Sequence, residues 1–203
     1  MNIDIKMTGI DEVMKMLDPK KVRDAANSAL NKVAAQAKTE ASKLIREEYN
    51  LPASTVSKNL SVTTRAYGDK MEAVLSGFKK GMPLSNFGAK QSGVIANKKG
   101  FQFSSRAKQS GNLRHGGAVS VEVKRGGRKT VSGEPKTFMT KFKSGHIAVV
   151  QREGKGRFPI KQLLGPGIST LFGSKKIMDA TKKLINDKFN DIFNHELEWR
   201  LKK

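Results

Sequence analysis

The side chains that could carry out acid–base or metal chemistry are few and scattered along the chain. The three histidines are His115, His146 and His195, and none has a metal-ligand spacing such as His-x-x-x-His. The chain has no cysteine, which excludes thiolate metal sites and disulfides. We therefore predict no metal and no cofactor. We expect His146 to make a structural hydrogen bond and His195 to lie on the surface of a helix.

The acidic residues do not suggest a catalytic centre. A two-metal nuclease needs several carboxylates that converge on one point. Between residues 79 and 161, where the cations are concentrated, only Glu122, Glu134 and Glu153 are acidic. The glycine-rich pieces 125–128 and 154–157 do not match a phosphate-binding P-loop. We predict no catalytic residues and no enzymatic activity.

The positive charge is the strongest compositional signal. The chain carries 39 Lys and Arg against 18 Asp and Glu, a net charge of +21. Segment 79–161 holds 19 of these cations and three acids, a net +16. Such a concentration favours contact with a polyanion or with an acidic protein surface. On clustering alone, the candidate contact residues are Lys98, Lys99, Arg106, Lys108, Arg114, Lys124, Arg125, Arg128 and Lys129.

Aromatic residues interleave with some of these cations, since Phe101 and Phe103 lie between Lys99 and Arg106. This pattern is typical of a stacking platform for single-stranded nucleic acid. A strand also places both rings on one face, so the alternative is that they pack in a core while the cations are solvated.

The elements that would position these residues follow from periodicity. Apolar positions alternate over Asn2–Thr8, which predicts a strand, and 10–17 predicts a short helix. Asp18-Pro19 predicts a helix start, and an alanine-rich stripe predicts a helix over 20–49. Residues 53–60 predict one helical turn capped by Ser54. Runs 60–67 and 71–78 predict a hairpin around Gly68-Asp69.

The second half predicts short strands and a closing helix. Residues 101–103 and 119–123 read as strands, 125–128 as a turn and 174–201 as a long helix. The sparse apolar pattern of 81–117 predicts a mobile loop or arm. The expected fold class is α+β: a small antiparallel sheet packed with two long helices, and a basic loop-rich insertion at about 79–135. We expect one domain over 1–203, and no apolar run approaches the roughly 20 residues that span a bilayer.

Segment 138–168 carries the most specific order of residues. Residues 138–152 predict a strand, and a short basic turn follows. Two prolines then prevent regular structure. Gly165-Pro166-Gly167 predicts a sharp turn before a helix. The pattern S-G-H-x-x-V-x-x-R, then R-x-P-I and G-P, resembles the minor tail protein Z family of tailed phages, also called tail completion proteins.

The resemblance implies a virion structural protein that completes the tail so that a head can join it. It implies synthesis in the host bacterial cytoplasm and a place at the head-proximal end of the tail. The implied partners are other tail and neck proteins, further copies that could form a ring around the DNA channel, and packaged DNA, with no membrane contact. Five residues would form the structural turn motif of this family: Arg157, Pro159, Ile160, Gly165 and Pro166.

Two other functions remain open from the sequence. A non-specific nucleic-acid-binding protein with a basic arm would share the charge, but it would not need the proline-bearing segment 157–168. A metal-dependent nuclease would need clustered acids, which the basic segment does not supply.

Overall fold

The computed structural model describes residues 1–6, 18–97, 100–103, 117–131, 137–142, 144–156 and 158–202, with only the backbone of 94–97 and 100–103. The fold is α+β, as predicted: two long helices and several small antiparallel sheets. The chain divides into two compact units. One comprises 1–45, 53–80 and 167–203, and the other 46–52 and 81–166. The prediction of a single domain with an insertion at 79–135 stays a prediction.

The first unit combines a three-stranded antiparallel sheet, in the order β1-β3-β2, with the long helices. Ile3 and Val62 flank Leu75 in this sheet. Its elements are β1 (Asn2–Lys6), α1 (Pro19–Glu48, whose last residues belong to the second unit), α2 (Ala53–Asn59), β2 (Leu60–Thr64), β3 (Glu72–Gly77), α3 (Ile168–Phe172) and α4 (Lys175–Leu201).

Helix α1 begins where the sequence predicts. The backbone N–H of Lys20 donates to Asp18 Oδ1 at 2.9 Å, which satisfies one of the free amides of the first turn. Val22, Ala26 and Ala29 of its small-residue stripe are fully buried, and Phe193 of α4 packs against them. Burial of this stripe together with Phe193 stabilises the helix pair.

The β2–β3 hairpin is confirmed, with a turn at Tyr67–Lys70 and Gly68 at φ +55°. The Ser54 cap is wrong, because α2 begins at Ala53 and Ser54 lies inside the helix. The predicted helix at 10–17 lies outside the described residues.

A close approach of backbones joins β3 to α3. A Cβ added at Gly77 would lie 2.8 Å from Ser169 Cα. The N–H of Ser169 also donates to the carbonyl of Phe78 at 3.1 Å. Only glycine leaves room for this contact.

The second unit is built from short strands arranged as β13-β4, β5-β8-β9, β6-β7 and β10-β11-β12, all antiparallel. Its elements are β4 (Met82–Pro83), a 3₁₀ turn (Leu84–Phe87), β5 (Lys90–Gln91), β6 (Val94–Asn97), β7 (Gly100–Phe103), β8 (Val119–Val121), β9 (Lys129–Val131), β10 (Thr137–Lys141), β11 (Ile147–Arg152), β12 (Ile160–Gln162) and β13 (Leu164–Gly165).

Three predictions for this unit need correction. The prediction of a loop or arm is wrong for residues 82–97, because short strands and a 3₁₀ turn occupy them. Met82, Leu84 and Phe87 are buried there. The single strand over 138–152 is wrong as well. Gly145 at φ +82° turns the chain, and β10 and β11 form a hairpin. The proline-bearing segment is more regular than expected, because its residues form β12 and β13. The strand predicted at 101–103 is confirmed, and the strand predicted at 119–123 is present but ends at Val121.

Candidate functional site

The proline-bearing segment forms a close-packed path through the second unit. The Phe158–Pro159 peptide bond is cis, and Ile160 pairs with Arg152. Gly165 packs against the ring of Phe87 so closely that an added Cβ would lie 2.8 Å from Phe87 Cε2.

Of the five residues in the predicted turn motif, Arg157 lies outside the described residues. Pro159 is exposed, whereas Ile160, Gly165 and Pro166 are half-buried. His146, in the resemblance motif, makes a structural contact, as predicted: its Nε2 lies 3.2 Å from Gln162 Nε2. Its ring also stacks on Phe142.

The structure brings four of the predicted contact cations together around one turn. Lys124, Arg125, Arg128 and Lys129 surround a bend in which Gly127 N–H donates to the Lys124 carbonyl at 3.2 Å. Gly126 adopts φ +75°, a conformation that favours glycine. We call 124–129 the basic turn. The turn predicted at 125–128 is thereby confirmed.

Two cations of the basic turn contact the end of helix α1. Arg125 Nε donates to the Arg46 carbonyl at 2.6 Å, and Arg125 N–H donates to the Glu48 carbonyl at 3.0 Å. Lys124 Nζ lies 3.4 Å from a Glu48 carboxylate oxygen. Because the last carbonyls of a helix lack intrahelical donors, these contacts stabilise the C-terminus of α1.

A third cation, Arg128, holds the turn to the end of β8 and to the residue that follows the 3₁₀ turn. Its guanidinium donates to the Gly88 carbonyl at 3.0 Å and pairs with Glu122 Oε2 at 3.2 Å. Lys129 is exposed, and within the described ranges no ion pair engages it. The remaining candidates, Lys98, Lys99, Arg106, Lys108 and Arg114, lie outside the described residues.

The sequence did not reveal a buried carboxylate on α4. Glu196 is 6% exposed and pairs with Lys32 of α1 and with Arg200, the latter at 2.5 Å. Burial alone would raise the pKa of Glu196, but hydrogen bonds from Lys32, Arg200 and Ser28 outweigh it and lower the pKa to about 2. The ionised carboxylate therefore ties α1 to α4. The only sequence signal was an acid at an apolar-stripe spacing, three residues after Phe193.

The described residues contain no group of three His, Asp or Glu side chains that could hold a metal ion. None of the helices in that part of the chain is long and apolar enough to cross a bilayer. Most of the charged side chains described above form ion pairs and contacts with helix ends. Such contacts fix the shape of the surface, and its exposed charges can attract a partner of opposite charge.

Comparison with known protein families identifies the family of this chain. The family described as "Prophage minor tail protein Z (GPZ)" matches residues 7–203, nearly the whole chain. Comparisons with curated proteins and with solved structures gave no match. Since the match covers both units, the chain belongs to the prophage minor tail protein Z family and is a structural component of a phage tail.

Proposed function

We propose that this protein completes the tail at its head-proximal end, so that the head can join. The observation that carries the proposal is the family match over residues 7–203. The protein would act by docking on other tail and neck proteins. Copies of it would form a ring around the DNA channel, since head-to-tail contacts close into rings when the rotation allows.

The charge of the chain supports a docking role. A net charge of +21, with +16 in segment 79–161, attracts acidic surfaces over a distance and accelerates association. Neighbouring tail and neck proteins with acidic faces would therefore be preferred partners.

Electron microscopy of phage particles with an early stop codon in this gene tests the proposal. We expect full heads beside separate tails of normal length, and rescue by the full-length protein supplied from a plasmid. Normal infectious particles without the protein would overturn the proposal.

A second contact, with packaged DNA, is favoured by the same concentration of cations. We propose that cations of this cluster, with Lys129 as the representative of the basic turn, bind phosphate without sequence preference. Such binding releases counterions and weakens steeply with salt. Filter binding to duplex DNA of two unrelated sequences, over a series of salt concentrations, tests it. Sequence-selective or salt-independent binding would contradict it.

The basic turn offers a matched pair of variants. Lys129→Gln should weaken DNA binding and reduce the salt dependence by about one counterion, without loss of stability. Lys182→Gln removes another exposed charge, from α4, and is the control. Arg128→Gln should lower the melting temperature, because it removes the contacts with Gly88 and Glu122. If Lys129→Gln and Lys182→Gln weaken binding equally, the basic turn has no special role.

A further inference from the structure

The tip of the β2–β3 hairpin is held in one conformation. Tyr67 and Lys70 exchange both backbone hydrogen bonds, each at 3.1 Å. Gly68 supplies the positive φ that so tight a turn requires. We call residues 65–70 the hairpin tip.

Three side chains of helix α1, spaced four residues apart, fasten this tip. The Arg23 guanidinium pairs with Asp69 Oδ1 at 2.5 Å. Asn27 Nδ2 donates to the Gly68 carbonyl at 2.8 Å. Residues four apart lie on one face of a helix, so the row runs along the hairpin.

The third member of the row, Asn31, makes a two-way contact with Ala66. Its Nδ2 donates to the Ala66 carbonyl at 2.9 Å, and its Oδ1 accepts from the Ala66 N–H at 3.0 Å. Ala66 is 4% exposed, so Asn31 satisfies backbone groups that water does not reach. The loop just before Tyr67 is thereby fixed.

Asn27, the middle member of this row, adds little net stability. Asparagine is a poor helix former. Asn27 is only 8% exposed, and its Oδ1 is buried without a hydrogen-bond partner. A buried polar atom left unpaired costs about 1–3 kcal/mol. Asn27 accepts this cost in free energy while its Nδ2 holds the carbonyl of Gly68. We infer that the fixed shape of the hairpin tip serves a function.

The tip presents an exposed aromatic side chain. Tyr67 is 86% exposed, the highest value among the exposed large hydrophobic residues in the described part of the chain. Tyrosine is enriched among residues that dominate binding energy, because it buries a large rigid area and has a hydroxyl to bond. A tip that is already ordered loses little entropy on binding.

The charges beside Tyr67 identify the kind of partner. Arg65 and Lys70 are exposed, and within the described residues no carboxylate lies at ion-pair distance from either. They favour an acidic surface. At the tip itself a second copy is disfavoured, because Arg65 and Lys70 would meet a chain with a net charge of +21; contacts between copies in a ring would use other surfaces. Duplex DNA is disfavoured because its phosphate backbone offers no apolar pocket that would bury the exposed ring of Tyr67.

We propose that the hairpin tip is a docking site, and that Tyr67 enters an apolar pocket with an acidic rim on a different protein of the tail. This inference rests on the proposed function, since it takes its partner from the tail. It adds a specific contact surface in the first unit, separate from the basic segment.

The test is direct binding. Tails are purified from phage with a stop codon in this gene, and the purified full-length protein is co-sedimented with them. We expect wild-type protein to bind and Tyr67→Ala to bind about 30-fold more weakly or worse, the usual effect of removing a dominant tyrosine. Phe78→Ala is the control, since Phe78 is 51% exposed and lies outside the tip. Equal melting temperatures would show that both variants are folded.

Several results would overturn the inference. One is that Tyr67→Ala binds tails as tightly as wild type, and another is that wild-type protein does not bind these tails at all. If Tyr67→Ala weakens duplex DNA binding or self-association instead, the occupant is DNA or a second copy. The particle phenotype of the stop-codon phage is scored separately, so the proposed function can fail or stand independently of this docking site.

Discussion

Removal of the charge on Glu196 should cause a pH-dependent loss of stability. The carboxylate is buried between α1 and α4, and its hydrogen bonds from Lys32, Arg200 and Ser28 lower its pKa from 4.5 to about 2. Since the folded-state pKa lies below the unfolded-state value, the unfolded chain binds the proton more tightly. The stabilisation is therefore complete above about pH 5 and is lost as the pH falls toward 2.

The size of the effect follows from the two pKa values. A fall from 4.5 to about 2 corresponds to about 3 kcal/mol of folding free energy at pH 7. In Glu196→Gln, Lys32 can return to water because its side chain is 55% exposed. Arg200, at 19%, is left with a weaker neutral acceptor. We expect a loss of about 3 kcal/mol at pH 7, in line with the removal of one partner from a buried ion pair.

Urea unfolding, followed by circular dichroism at a series of pH values, measures this difference. The gap between wild type and Glu196→Gln should shrink from about 3 kcal/mol at pH 7 to under about 1 kcal/mol near pH 2.5. Glu198→Gln, an exposed acid on the same helix, is the control and should change stability by less than about 0.5 kcal/mol. A gap that stays constant with pH would refute the argument that the ionised form of Glu196 supplies the stabilisation.

Two further predictions concern packing and the hairpin tip. Asn31→Ala should lower the free energy of unfolding by about 2–3 kcal/mol, because it leaves the buried N–H and carbonyl of Ala66 without partners. Asn27→Ala should lower it by about 1 kcal/mol or less, because the substitution removes a buried unpaired oxygen together with the hydrogen bond to Gly68. Equal losses in urea unfolding would contradict this reasoning. Gly77→Ala should cost more than about 2 kcal/mol, because the new Cβ meets the backbone of α3, while Gly154→Ala, with nothing within 4 Å, should be nearly neutral. Similar melting temperatures for the two alanine variants would contradict that.

Long periodic elements could be read from the sequence because their signals are local. The Asp18 cap and the apolar stripe of α1 repeat over many turns, and Gly68-Asp69 marks a tight turn between two alternating runs. In each case neighbouring residues alone favour one conformation, and the tertiary structure agrees with it.

Short elements could not be read in this way. The hairpin of β10 and β11 reads as one strand in the sequence, because apolar residues occur on both sides of Gly145 and its left-handed conformation is seen only in the structure. The strands between 82 and 97 have two to four residues each, which is too few to establish a period of two. Their burial depends on partners distant in sequence.

The basic turn shows the same limit for a candidate site. Its four cations lie together because they are neighbours in sequence, but charge counts do not reveal that Arg125 bonds a carbonyl 79 residues away in sequence. A cation that caps a helix contributes to stability and has less freedom to bind an external anion. Internal pairing of this kind reduces the number of cations in the basic turn that can contact a polyanion, and it makes Lys129 the residue there whose substitution tests binding without a loss of stability.

Charge and shape therefore point to two different kinds of contact on this protein. Attraction by clustered cations needs only composition, so the sequence reveals it, and it should weaken as salt screens it. Docking by the hairpin tip depends on three side chains of α1 that meet the turn only after folding. Because Tyr67 offers mainly apolar area, its contribution to binding should persist at high salt. A tail component first meets its neighbours and then binds them in one orientation. Attraction by the clustered cations would accelerate the first step, and docking by the hairpin tip would fix the orientation in the second.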